Sequence, residues 1–202
     1  MAAKTLAAIR QIVRQLLRDE FDSGIVQEWE DDELDIHIQN CLDEISEYSP
    51  RIVKETLATT EDSKDLDISD IEDLLHVERL EYEVDEDPKQ YRNFSIMGDT
   101  LTMVIDTAPS EDDEDVYLYC AKPHLLTEAT STLKLQHERR LILGVLAKAT
   151  IAIARKHINT VNVGGGRTAK DMESWGLSKL AEYRAELDRI AEDKTYIEYP
   201  KG

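Results

Sequence analysis

The sequence predicts an α+β protein, mainly α, with a four-helix bundle-like core and a small antiparallel β-sheet inserted into it. Three observations predict this. Apolar residues recur every three or four positions in the first quarter of the chain and again in its last third. Between residues 52 and 120 they tend to alternate with polar ones. Charge divides in nearly the same places: of the net −19, residues 61–120 hold 20 acidic and 4 basic side chains, and residues 121–202 hold 10 and 14. The expected organisation is a helical hairpin over 1–51, an acidic β-rich insertion over 52–135, a helical pair over 136–193 and an extended tail over 194–202.

In the first helix Leu6, Ile9, Val13, Leu16 and Leu17 share one face, and Arg10, Arg14 and Arg18, four residues apart, form a stripe beside it. Trp29-Glu30-Asp31-Asp32-Glu33-Leu34 announces the second helix. Its acids suit the positive helix end, Glu33 can cap back toward Glu30, and Trp29 and Leu34 take the two staple positions. The buried face is Leu34, Ile38, Cys41, Leu42 and Ile45, and Pro50 stops the helix.

In the middle third, Ile52 to Ala58 alternates weakly, a short helical turn is expected near Ile71 to Leu75, and a β-like run follows from Val77 to Val84. Gly98-Asp99 between two alternating segments, Phe94 to Met97 and Thr100 to Ile105, reads as a two-residue hairpin turn. After a loop from Pro109 to Asp115, Val116 to Cys120 makes a strand expected to pair with residues 101–105. Helical spacing then returns. Leu141, Ile142, Val145, Leu146, Ala149 and Ile153 line a helix over about residues 136–161, where Ala147, Ala152 and Ala154 permit close helix contacts. Gly164-Gly165-Gly166 ends it. Thr168 caps a last helix to Asp193 whose apolar face is Met172, Trp175, Leu180, Tyr183, Leu187 and Ile190.

Motifs for reaction chemistry fail on spacing. The run at 164–168 lacks the phosphate-loop pattern and follows a helix instead of a strand. Asp65 to Asp70 begins like a calcium loop but has Asp70 where glycine is needed and His76 where glutamate is needed. His137-Glu138-Arg139-Arg140-Leu141 misses its second zinc-binding histidine and reads as the polar first turn of a helix. The expectation is a protein that is not an enzyme, with no cofactor and no metal. Cys41 and Cys120 fall at core positions of different elements and read as buried free thiols of a reducing compartment. The sequence has no run of eighteen apolar residues and no signal-peptide pattern, which argues against membrane spanning and export.

The first quarter resembles the head-to-tail connector adaptor proteins of tailed bacteriophages. These open with a Leu-x-x-Ile-Arg-x-x-Val-Arg-x-Leu-Leu helix, followed by Trp-x-Asp-x-Glu-Leu and a helix ending near Ser-x-Tyr-Ser-Pro-Arg. The matching residues are Leu6, Ile9, Arg10, Val13, Arg14, Leu16 and Leu17, then Trp29, Asp31, Glu33 and Leu34, then Ser46, Tyr48, Ser49, Pro50 and Arg51. The likeness weakens over the two C-terminal helices, and the middle looks like an insertion.

The resemblance implies a head-completion protein of the virion neck, assembled in the host cytoplasm as a ring of about twelve copies. Its partners would be further copies of itself, the portal protein, and a tail or stopper protein. DNA would pass through without specific binding, and no membrane is involved. Residues implied to dock on the portal are Tyr196, Ile197 and Tyr199 of the tail, with Tyr183 and Leu187 of the last helix. A fraying chain end reads equally from the tail's position. The Arg10, Arg14 and Arg18 stripe would meet an acidic neighbour or else make intrachain pairs. The acids Glu111, Asp112, Asp113, Glu114 and Asp115 read as a solubilising surface or, on the family's model, as a lumen or ring face that repels DNA. The alternative is a monomeric acidic binding protein such as a DNA mimic.

Overall fold

A computed structural model describes residues 3–18, 28–157 and 169–194. In chain order its elements are helices α1 (Leu6–Leu17) and α2 (Asp31–Tyr48), then strands β1 (Arg51–Ala58), β2 (Asp65–Asp67), β3 (His76–Tyr82), β4 (Tyr91–Met97), β5 (Thr100–Val104) and β6 (Asp115–Lys122). Helices α3 (Leu135–His157) and α4 (Ala169–Lys194) follow. They form two compact units, one of residues 1–49 and 124–202, the other Pro50–Pro123.

In the helical unit the apolar stripes meet in one core that includes Ile9, Val13, Leu34, Ile38, Leu42, Ile45, Leu141, Val145, Tyr183 and Leu187. Two glycines let the helices approach. A Cβ on Gly144 would stand 2.8 Å from the Tyr183 ring and 3.0 Å from Cys41 Sγ, and one on Gly176 would stand 2.7 Å from Ile151. Tyr183 fills the space over Gly144, and its hydroxyl donates to the Cys41 carbonyl at 3.2 Å. Burial pushes the Cys41 thiol up to about 11, so it packs as a small apolar group.

The hairpin forms as its caps dictate. The Glu30 N–H donates to the Glu33 carboxylate at 3.1 Å, and Trp29 and Leu34 both lie in the core. At the start of α1 no side chain caps the helix. Its first donors go instead to the segment before α3: Leu6 N–H to the Thr127 carbonyl at 3.0 Å and Ala7 N–H to Glu128 at 3.2 Å.

The sheet unit corrects the expected fold class. It is a six-stranded curled antiparallel half-barrel, and strands make up 24% of the structure beside 45% helix. The chain is therefore not a helix-dominated bundle with a small sheet. The strand order is β1-β6-β3-β4-β5-β2, antiparallel throughout. The curl wraps around Leu66, Val77, Leu80, Tyr82, Leu101, Met103, Val116, Leu118 and Cys120, with Ile68 buried among them and Ile71 and Leu74 packed against them. A β-bulge at Glu78 explains why Val77 and Leu80, three apart, both face this core.

Other expectations shift with it. Val116 to Cys120 pairs with β1 and β3, not with residues 101–105, which pair with β2 and β4. Residues 72–73 form a turn within an otherwise irregular 71–75 segment, instead of a helical turn. The unit ends at Pro123, and residues 124–135 pack with the helices. The hairpin at Gly98-Asp99 forms as read: Met97 pairs with Thr100, and Gly98 takes φ 60, the positive value that a glycine-first turn requires. The Gly164-Gly165-Gly166 run and Thr168 lie outside the described residues.

Candidate functional site

The arginine stripe resolves into intrachain pairs. Arg10 grips Asp35 with two parallel hydrogen bonds, Nε to Oδ1 at 2.9 Å and Nη2 to Oδ2 at 2.7 Å, and Nη2 also reaches Glu128 at 3.1 Å. Arg14 Nη2 donates to Asp31 at 2.6 Å. Both guanidinium groups sit near the acidic first turn of α2, so they fasten the hairpin through charge-assisted bonds. The hydrogen bond from Arg14, helped by the charges of Arg10 and Arg14, outweighs desolvation and holds the Asp31 carboxyl below its usual range. Arg18 takes a different role: it is exposed and closes α1 in the left-handed conformation, φ 58.

Tyr183 and Leu187 are core residues, 1% and 4% exposed, so neither offers a docking surface on this chain. Their place on the apolar face of α4 already commits them to α2 and α3. Tyr196, Ile197 and Tyr199 lie outside the described residues.

The acids Glu111 to Asp115 are ordered by Thr59, which is buried. Thr59 Oγ1 donates to the Glu111 carbonyl at 3.2 Å and accepts from the Glu114 N–H at 3.1 Å, and the Thr59 carbonyl accepts from the Asp113 N–H at 3.1 Å. Asp112 accepts from the Glu61 N–H at 2.7 Å, and Glu114 from the Tyr82 hydroxyl at 2.8 Å. Burial and the Glu114 contact push the Tyr82 phenol up to about 12. Glu111, Asp112, Asp113 and Asp115 remain exposed and sit at one end of the sheet, where β6 begins and β1 stops. Asp85, held by the Tyr117 hydroxyl at 3.3 Å, extends this acidic end past β3.

Sequence reading missed two features. On the outer face of the sheet Glu81 is wholly buried, accepting from the Tyr119 hydroxyl at 2.6 Å and from Lys89 at 2.9 Å. Burial opposes its charge, yet these two partners outweigh burial and its pKa falls. The alternation of β6 places Tyr117 and Tyr119 on this face, with Lys54 3.5 Å from the centre of the Tyr117 ring. The bulge at Glu78 hid Glu81's position, because it changes which residues of β3 face outward.

The second feature is Trp175, placed by periodicity in the core but 46% exposed. Its neighbour Gly176 takes the contact with α3 instead. Trp175 lines a concavity of about 590 Å³ together with Leu16, Leu17, Ile153 and Met172, edged by Arg18, Glu28 and Asp171. The spacing of Gly176, Tyr183, Leu187 and Ile190, seven, four and three residues apart, is the signal that would have set the helix face correctly.

His137 and Glu138, read as a polar first turn, are both 2% exposed. Glu138 accepts from the Lys4 N–H at 2.7 Å and its ammonium at 2.5 Å. His137 stacks edge-on to His124 at 5.3 Å, and its Nδ1 has no hydrogen-bond partner. Burial first, then the charges of His124, Arg140 and Lys134, lower His137 to about 4. Among the described residues no group of three or more histidine, cysteine or carboxylate side chains is placed to hold a metal ion, and no helix is long and apolar enough to cross a membrane. Compared with models of known families and with curated proteins, the chain matches none of them.

Proposed function

We propose that this chain is a head-to-tail adaptor of a tailed bacteriophage: a subunit of a ring of about twelve copies, seated between the portal and the tail or stopper, through which the genome passes. One observation carries the reading. The motif residues from Leu6 to Ser49 that bear the family resemblance work together as one fastened hairpin. Leu6, Ile9, Val13 and Leu34 pack inward, Arg10 and Arg14 bind Asp35 and Asp31, and Glu33 caps Glu30. Ser46 bonds the Leu42 carbonyl at 2.7 Å and accepts from the His124 N–H at 2.9 Å, and the Ser49 carbonyl meets His124 Nε2 at 2.8 Å. Such a motif serves a scaffold that must present the same faces in every subunit.

The exposed acids from Glu111 to Asp115 fit the same reading as a face that repels phosphate. They also favour the second reading, a monomeric acidic protein that imitates DNA. Negative-stain electron microscopy of the full chain mixed with a tailed-phage portal ring separates the two. The adaptor gives closed rings with a central opening stacked on the portal, and bare portals with dispersed monomers would reject it.

A further inference from the structure

The concavity beside Trp175 has the makings of an interaction anchor. Leu16 is 57% and Trp175 46% exposed, and they stand together with Leu17, Ile153 and Met172 around about 590 Å³. A half-exposed tryptophan set in a concave surface that mixes apolar and polar side chains is the residue type and shape on which binding energy concentrates. The chain also carries a matching ligand. Just beyond α4 come Thr195-Tyr196-Ile197-Glu198-Tyr199-Pro200, three large apolar or aromatic side chains within four residues.

Reach decides which copy the ligand comes from. Trp175 lies 19 residues before Lys194 on one continuous helix, which is about 28 Å along its axis at about 1.5 Å per residue. Tyr199, five residues past Lys194, lies at most about 18 Å from it in fully extended chain. A tail folding back on its own helix falls short of its own concavity.

We propose that residues 196–199 of one copy seat in the Trp175 concavity of a second copy. This rests on the ring reading and names the contact that closes it: a heterologous contact in which the end of α4 of one subunit meets the start of α4 of the next. The tyrosine rings cover Trp175 and Met172.

The test uses two full-length single variants, Met172→Cys and Tyr199→Cys, mixed and oxidised. A disulfide-linked heterodimer can form only between chains, and its yield should exceed by at least about tenfold that of a control pair in which Asp43→Cys, on exposed α2, replaces Met172→Cys. Equal yields from the two pairs would overturn the proposal. Native mass spectrometry gives the second reading: Trp175→Ala, and separately the pair Tyr196→Ser and Tyr199→Ser, should each cut the ring fraction at least about tenfold at fixed concentration with unchanged melting temperature. Rings that persist in these variants while portal capture falls would assign the tail to the portal, defeating this inference and leaving the adaptor intact. A wild-type chain that forms no ring defeats the adaptor reading first, and the mixed-chain cross-link then decides the seat by itself.

Discussion

The helical unit and the sheet unit bury their apolar residues by different means. In the helical unit each helix's buried face is set locally, by stripes three and four residues apart, although the core joins α1 and α2 to the distant α3 and α4, with Gly144 and Gly176 allowing close contact. In the sheet unit, β1 pairs with β6, Arg51 with Lys122 and Ala58 with Asp115, so the core exists only after distant segments meet. Each unit holds a buried carboxylate on a lysine, Glu138 with Lys4 in the helical unit and Glu81 with Lys89 and Tyr119 in the sheet unit, and the helical unit adds a buried His137 whose Nδ1 has no partner. One unit is thus written in local periodicity and the other in pairing.

The sharpest way to test that contrast is to damage each core separately. Leu141→Ala and Leu80→Ala each remove a fully buried side chain and should each cost about 2–5 kcal/mol. Both tryptophans, Trp29 and Trp175, belong to the helical unit. Tryptophan-detected melting should therefore move more for Leu141→Ala, and the β-sheet circular dichroism signal more for Leu80→Ala. Equal shifts by both probes would show one cooperative unit in place of two.

Acid should separate the units next. His137 is neutral when folded and takes up a proton near pH 6.5 when unfolded. Its contribution is complete above about pH 6.5, declines as pH falls toward 4, and amounts to about 3 kcal/mol over that range. His37, lowered by burial first and then by Lys148, acts in the same direction. Glu81 behaves otherwise: its folded pKa lies below the unfolded value, so its contribution is present above about pH 4.5 and is lost only as pH drops through the folded value. Urea midpoints followed by tryptophan should fall between pH 7 and 5, and His137→Gln should flatten most of that slope. A slope that His137→Gln leaves untouched would refute the assignment.

Smaller effects probe the fastenings. Arg10→Ala removes the fork onto Asp35 and should cost the helical unit about 1–2 kcal/mol, with salt recovering little of it because the Arg10 side chain is only 16% exposed. Gly98→Ala meets nothing within 4 Å, so its cost is the positive φ alone, about 1 kcal/mol, and it should appear only in the sheet signal.

The same contrast explains what could be read in advance. The Glu30-Glu33 cap, the Trp29 and Leu34 staple and the Gly98-Asp99 turn were legible because each depends on residues within five positions of one another. Strand β2 was not, since Asp65-Leu66-Asp67 looks too acidic for a strand until Leu66 is seen against Leu101 in the core. The partners of Val116 to Cys120 were hidden for the same reason: alternation fixes the face of a strand and is silent about its neighbour. At the candidate surfaces the arginine stripe was visible but its partners were not, because Asp31, Asp35 and Glu128 become neighbours only when the hairpin closes. Trp175 was misplaced by one position, enough on a helix to turn a core residue into an exposed one.

The central claim is that copies of this chain close into a ring, and native mass spectrometry of the full chain, alone and with a tailed-phage portal ring, tests it most directly. The account predicts a single closed oligomer near twelve copies, either free or on the portal. A strict monomer under both conditions would contradict it and leave the acidic binding protein as the better reading.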